Sequence, residues 1–133
     1  MIKNIPIKIA TKTTYLLKQS DPLNLRFVWS YEISIHNESE EIIQLLNRVW
    51  YITDLTGRVE KVNGAGVIGL QPLIKPNKLF TYTSFCQLMT PQGTMDGEYE
   101  MQDLNEDKFT VEIPKFVLCA PHSVMQPFRL KLH

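Results

Sequence analysis

From Leu25 to His36 the side chains switch character at every step. Leu25, Phe27, Trp29, Tyr31, Ile33 and Ile35 alternate with Arg26, Val28, Ser30, Glu32, Ser34 and His36. A helix would group positions three and four apart, whereas a period of two puts all six large apolar groups on one face of an extended strand. Most of the six are aromatic or β-branched, the residues that suit a pleated surface. A strand with one such face needs a second layer to cover it, which already restricts the chain to sheet-containing architectures.

The rest of the chain supplies further strands and no sustained helical period. Ile5, Ile7 and Ile9, continued by Thr11, Thr13 and Tyr15, mark a half-buried strand that ends in the turn cluster Ser20-Asp21-Pro22-Leu23-Asn24. Ile42 to Asp54 follows, with Arg48, Trp50 and Ile52 on one face and Val49 and Tyr51 on the other. Asp54-Leu55-Thr56-Gly57 has type I turn chemistry and predicts a hairpin back through Arg58 to Val62. Further strands are expected over residues 78–88, 94–101 and 109–113, with Thr90-Pro91-Gln92-Gly93 and Asp103 to Asp107 as turns. Pro114 is expected to interrupt the pairing before a last strand at Phe116-Val117-Leu118. Turns every ten residues or so predict an all-β chain, an antiparallel β-sandwich of fibronectin type III or immunoglobulin-like kind with about seven or more strands. Tyr99, two residues before Met101, is read as a tyrosine corner.

At 133 residues, with 44% hydrophobic and 21% charged residues, the chain fits one domain spanning 1–133, with a core over about 5–118 and a C-terminal extension at 119–133. Fourteen basic residues balance fourteen acidic ones, so the total charge draws the chain toward neither nucleic acid nor an anionic membrane. The N-terminus has no signal-peptide pattern and no run reaches the length of a membrane span, so a cytoplasmic location is expected. Cys86 and Cys119 are far apart and without metal-type spacing; both are expected as free, buried thiols.

One stretch invites a chemical reading. Gly64-Ala65-Gly66-Val67-Ile68-Gly69 fits G-x-G-x-x-G, the spacing by which glycines let backbone N–H groups approach a pyrophosphate. That mechanism needs the N-terminus of a helix immediately afterwards, and Pro72 and Pro76 stand where the helix would be. Residues 64–76 are therefore expected to form a structured loop between strands, with glycines at positive φ or close backbone approach.

Taken together, the strings resemble the ApaG family. They are Tyr31 to Ile35 with Asn37, Gln44-Leu45-Leu46 with Arg48 and Trp50, Ile52-Thr53-Asp54, Gly57-Arg58-Val59, the segment from Gly64 to Leu73, Tyr82-Thr83-Ser84, Thr90 to Met101, and Ile113-Pro114 with Phe116 and Leu118. The resemblance runs from about Tyr15 to Leu118. It implies a single fibronectin type III-like sandwich without an established activity. Bacterial members lie genetically beside a diadenosine tetraphosphate hydrolase and are associated with cobalt tolerance and magnesium efflux, and eukaryotic proteins use the domain as a protein-binding module. This sequence departs from the family pattern at Ala65, an acidic position in the family, and at Phe85 and Asn77, both usually glycine.

Catalytic and metal sites find little support. His36, His122 and His133 have no partners at ligand spacing, Ser84 lacks a nucleophile elbow, and Cys119 with His122 is too local a pair to serve as a base and nucleophile. Asp103, Glu106 and Asp107 lack the EF-hand pattern and read as a solvated turn. Neither catalytic residues, a metal site nor a cofactor is expected. The reading is a non-enzymatic module that binds a protein partner through residues 64–76 and the turn at 91–97, with Gly64, Gly66, Gly69, Leu70, Gln71, Pro72, Pro91 and Gly93 as binding residues. The alternative is a small-anion or nucleotide site on the Gly64 to Gly69 loop, rimmed by Arg58, Lys61, Lys75 and Lys78.

Overall fold

The structure, a computed structural model, describes residues 5–124. Eight strands follow in chain order: β1 (Ile7–Tyr15), β2 (Phe27–Asn37), β3 (Ile43–Asp54), β4 (Val59–Ala65), β5 (Leu73–Ile74), β6 (Leu79–Leu88), β7 (Gln92–Gln102) and β8 (Lys108–Cys119). They form two antiparallel sheets packed as a sandwich. One has the order β1-β2-β6, and the other β4-β3-β7-β8 with the short β5 added to β3.

The alternation in β2 does what its period demands. Phe27, Trp29, Tyr31, Ile33, Ile35 and Asn37 are all buried, while the residues between them face outward. Leu25 is an exception to the sequence reading. It sits in the left-handed region at φ 55 behind the 3-10 turn Pro22–Asn24, and a bridge between Asp21 and Arg26 closes that loop before the strand begins. The side chain is 37% exposed and outside the core.

In β3 the inward face changes parity along the strand. Ile43 and Leu45 are buried at odd positions and Trp50 at an even one, and the pairing with β7 slips between Leu45 and Asn47. Leu46 is thus the extra residue of a β-bulge, which lets both halves of the strand aim their apolar side chains inward. A second slip, between Met95 and Gly97 of β7, absorbs Pro114: the strand runs through it rather than stopping. Because β8 is the outermost strand of its sheet, a proline at a bulge there costs little pairing. Gln92 and Gly93, expected in a turn, are the first residues of β7.

Trp29, Phe27, Ile33, Leu45, Met95, Tyr99, Met101, Ile113 and Leu118 are almost fully removed from solvent. Each such side chain contributes about 1.5–3 kcal/mol through burial. Trp50, 2% exposed, is core: it meets Tyr31 edge-on at 5.4 Å and Phe116 at 5.8 Å, joining the two sheets. Tyr99 departs from the tyrosine-corner reading, because its hydroxyl crosses the sandwich to the hydroxyl of Tyr82 on β6. Burial raises both phenol pKa values well above the ordinary tyrosine range. Among the described residues no helix is long and apolar enough to cross a membrane.

Candidate functional site

The glycine-rich segment divides into a root and a tip. Gly64 and Ala65 end β4, in register with Arg48 and Asn47 of β3. Here the strand face bearing Arg48 closes on the loop: Arg48 Nη1 donates to the carbonyls of Ala65 at 3.0 Å and Gly66 at 2.9 Å. The guanidinium lies so close over Gly64 that a Cβ there would meet it at 3.1 Å. Gly66 has φ +60, and a Cβ on it would fall 2.0 Å from the carbonyl oxygen of Leu70. Its N–H donates to Leu46 O at 2.7 Å, and Gln71 Nε2 donates to the same oxygen at 2.9 Å. The root is therefore fastened to the bulge of β3 by two donors on one carbonyl.

Beyond Gly66 the chain makes a tight reversal. Val67 and Leu70 exchange backbone hydrogen bonds at 2.8 Å in both directions, with Ile68 and Gly69 at positive φ between them. Val67 is buried and anchors the turn, while Ile68, Leu70 and Leu73 are 56%, 51% and 60% exposed. The segment returns through Pro72, whose carbonyl accepts from Leu45 N–H, into β5 and then Asn77 at φ 61, a left-handed position that asparagine tolerates in place of glycine. The expected loop between two strands is thus present, with Gly64 and Ala65 inside the first of them.

For an anion, the decisive groups are the free N–H donors. Those of Gly66, Val67 and Leu70 are all engaged by backbone carbonyls. The basic rim is also dispersed: Lys61 pairs with Tyr51 in the middle of the β3-β4 ladder and lies 5.9 Å from that ring, and Arg58 sits at the far end beside Asp54. Lys75 and Lys78 remain beside the loop, linked by a backbone hydrogen bond.

Pro91 and Gly93 are not part of the same surface. Gly93 pairs with Asp54 at the C-terminal end of β3, whereas the loop joins β3 at residues 44 to 48. The intervening strand length is roughly 20 Å at the usual rise per residue. Both residues are also buried, and a Cβ on Gly93 would meet Thr53 O at 2.5 Å. The segment 91–97 leads into and begins β7 at the opposite end of the sandwich, so it does not share a surface with residues 64–76.

The remaining candidates have ordinary occupations. Asp103, 3% exposed, accepts from the N–H groups of Asn105 and Asp107 and holds its own turn together. Among the described residues no group of three or more His, Cys, Asp or Glu side chains could hold a metal ion. His36 lies 3.7 Å from Glu38, and His133 lies outside the described residues, as does the extension beyond residue 124. The cysteines differ from the reading that buried both. Cys86 is buried, which pushes its thiol up to about 12, but Cys119 is exposed at the end of β8. Its sulfur takes a hydrogen bond from Gln92 Nε2 at 3.4 Å.

Sequence reasoning missed the part Arg48 plays. Its parity with Trp50 was visible, but only the register that sets it opposite Gly64 reveals a clamp on the loop. Ile68, in the reversal, and Leu73, the exposed first residue of β5, were also missed as apolar neighbours of Leu70; the signal was their position on either side of it in the sequence.

Comparison with known proteins adds an independent line. A model of the ApaG domain matches residues 17–103. The chain is 46% identical over 115 residues to Protein ApaG of Mesorhizobium japonicum, covering 86% of this chain and 88% of that one. With Protein ApaG of Rhodospirillum centenum it shares 44% identity over 121 residues, covering 91% and 93% of the two chains. Among solved structures, a crystal structure of an ApaA protein from Bordetella pertussis superposes with TM-score 0.86 at 38% identity, covering 92% of this chain and 99% of that one.

Proposed function

This chain belongs to the ApaG domain family, and from that premise we propose that it is a non-enzymatic module that binds a protein partner through the tip of the glycine-rich loop. The observation that carries this reading is the contrast of Ile68, Leu70 and Leu73, three large apolar groups more than half exposed, with a root held by hydrogen bonds to the carbonyls of Leu46, Ala65 and Gly66. A rigid support under an apolar tip presents a contact surface that loses little entropy on binding. Gln71 and Pro72 belong to the support rather than the contact, since their amide and carbonyl groups tie the loop to Leu46 and Leu45. The association of the family with divalent cations then acts through the partner, in the cytoplasm, and not through a metal site on this domain.

The engaged N–H groups of Gly66, Val67 and Leu70 leave those of Ile68 and Gly69 as the donors of the reversal, fewer than a nest that wraps an anion would offer, which argues against the anion or nucleotide reading. Two measurements test the proposal together. Calorimetric titration with ADP and with pyrophosphate should give no heat beyond dilution; saturable binding abolished by altering Arg48 or Gly69 would favour the anion site. Leu70→Asp should melt like the parent chain and fail to retain the protein that the parent retains from lysate. Retention of the same protein by this variant would move the contact surface elsewhere.

A further inference from the structure

Besides the two-residue β5, the sandwich has four outer strands, and three of these are protected against pairing with another chain. β1 carries Lys8 and Lys12, β4 carries Glu60 and Lys61, and β8 combines Lys108, Lys115 and Pro114 with a bulge. These are the usual means by which proteins blunt an edge. β6 has none of them. Its ten residues, Leu79 to Leu88, contain no charge, proline or glycine, and its ladder with β2 runs through all ten positions without a register shift. Phe80, Thr81, Tyr82, Thr83 and Phe85 give it the composition most favourable to strand pairing. Among the described residues no strand pairs with its outer edge.

The flank it borders is open. β1 and β8 lie against each other on one side of the sandwich, whereas on the other side a cleft of about 300 Å³ separates β6 from β3 and β4. Phe85, 68% exposed, stands on the lip of that cleft. A long, regular, uncharged edge beside an open cleft is a template for strand addition.

We propose that the outer edge of β6 is a self-association surface, on which a second copy of this chain adds its own β6 in antiparallel register about a twofold axis. Self-pairing suits this strand in particular. With the axis at Thr83, that residue meets its own copy, Thr81 faces Phe85 and Leu79 faces Gln87, so no charge falls opposite any other along the interface. Thr–Thr and aromatic–β-branched pairs are favourable cross-strand neighbours. The zero net charge of the chain leaves no long-range repulsion between copies. The three-stranded sheet would become six-stranded, an ordinary size, and the interface would be isologous and closed, which ends growth at the dimer.

Sedimentation equilibrium on the full chain tests this. The parent should show a concentration-dependent species of twice the 15.4 kDa chain mass. Thr83→Lys places a like charge against its own copy and should weaken association by about tenfold or more, with an unchanged far-UV spectrum. Leu70→Asp should leave the dimer intact, which separates this surface from the loop tip. Should Thr83→Lys fail to fold, amide exchange of the parent chain decides: the amides of residues 79–88 should gain protection with rising concentration while those of 59–65 do not. A monomer at all concentrations, or a dimer that survives a well-folded Thr83→Lys, overturns the proposal. So does a chain ending at Val124 that dimerises when the full chain does not, since the C-terminal segment would then be the occupant of the edge.

Discussion

The root and the tip of the glycine-rich loop are a few residues apart and obey opposite rules. At the root, Gly66 has positive φ and no room: a side chain would collide with the Leu70 carbonyl at 2.0 Å. At the tip, Gly69 has positive φ, at +77, and open space around it. The same residue type thus answers a packing constraint in one place and only a backbone constraint in the other. What differs is whether the chain is held by the rest of the molecule, and that decides which positions are available for binding.

The largest expected effect is at the root. Gly66→Val combines a left-handed conformation with an unavoidable backbone clash and should cost about 3 kcal/mol or more, read as a lower denaturation midpoint or failure to fold. A midpoint close to that of the parent would mean that the root yields, and the division between root and tip would collapse.

Arg48→Ala comes next. It removes two hydrogen bonds from the loop carbonyls while leaving Gly64 and Gly66 unchanged, and should cost roughly 1–3 kcal/mol in chemical denaturation. If the stability loss is accompanied by loss of partner retention, the clamp also fixes the shape of the tip.

Alkali attacks the layer beneath the root. Burial raises the pKa of Tyr31, Tyr82, Tyr99 and Cys86 above their unfolded values. A group raised in this way favours folding fully below its unfolded pKa, and the contribution is lost as pH climbs toward the folded one. Stability should therefore fall steadily as pH rises past the ordinary cysteine and tyrosine values. Variants at the tip should shift the whole curve without changing its slope; a change of slope at Leu70→Asp would place the tip in contact with the core. Tyr99→Phe should flatten the decline, read in denaturant melts across alkaline pH.

The smallest effects belong to the tip. Gly69→Ala should cost about 1 kcal/mol for its backbone conformation alone. Leu70→Asp should stay within about 0.5 kcal/mol of the parent. If Leu70→Asp instead proves the more damaging of the two by thermal melting, Leu70 packs inward and the tip loses its apolar centre.

Much of the sandwich was legible in the sequence because burial writes a period of two. The strand from Phe27 to His36 could be read from parity alone, though Asn37, polar and turn-like by type, continues it as a buried position, and the positive φ of Gly66 from glycines in a loop followed by prolines. Leu25 kept the parity but not the strand, since the Asp21–Arg26 bridge sets the start and parity does not record it. The bulge at Leu46 was hidden for a related reason: an extra residue inverts the period, and apolar residues on both sides of the slip look like a strand covered on two faces. At Pro91 the chemistry of a turn marks the reversal before β7, but Gly93 already belongs to the strand, and only register shows which end of the sandwich the reversal occupies. Cys119 was placed inside on the habits of its residue type, and the pattern along β8 sets it outside between buried Leu118 and Ala120.

The carbonyl of Leu46, which receives both Gly66 N–H and the Gln71 amide, carries a consequence for how such a chain can vary. Side chains at the tip can be exchanged freely, because their identity does not enter the phase of β3. Chain length cannot. Removing one residue from the bulge would rotate everything from Asn47 to Asp54 by half a period, turning Trp50 out to water and Tyr51 in, and it would take away the oxygen on which the loop is hung. Variation at this site is continuous in composition and quantised in length, so insertions between Ile68 and Gly69 should be tolerated where a single deletion at Leu46 is not.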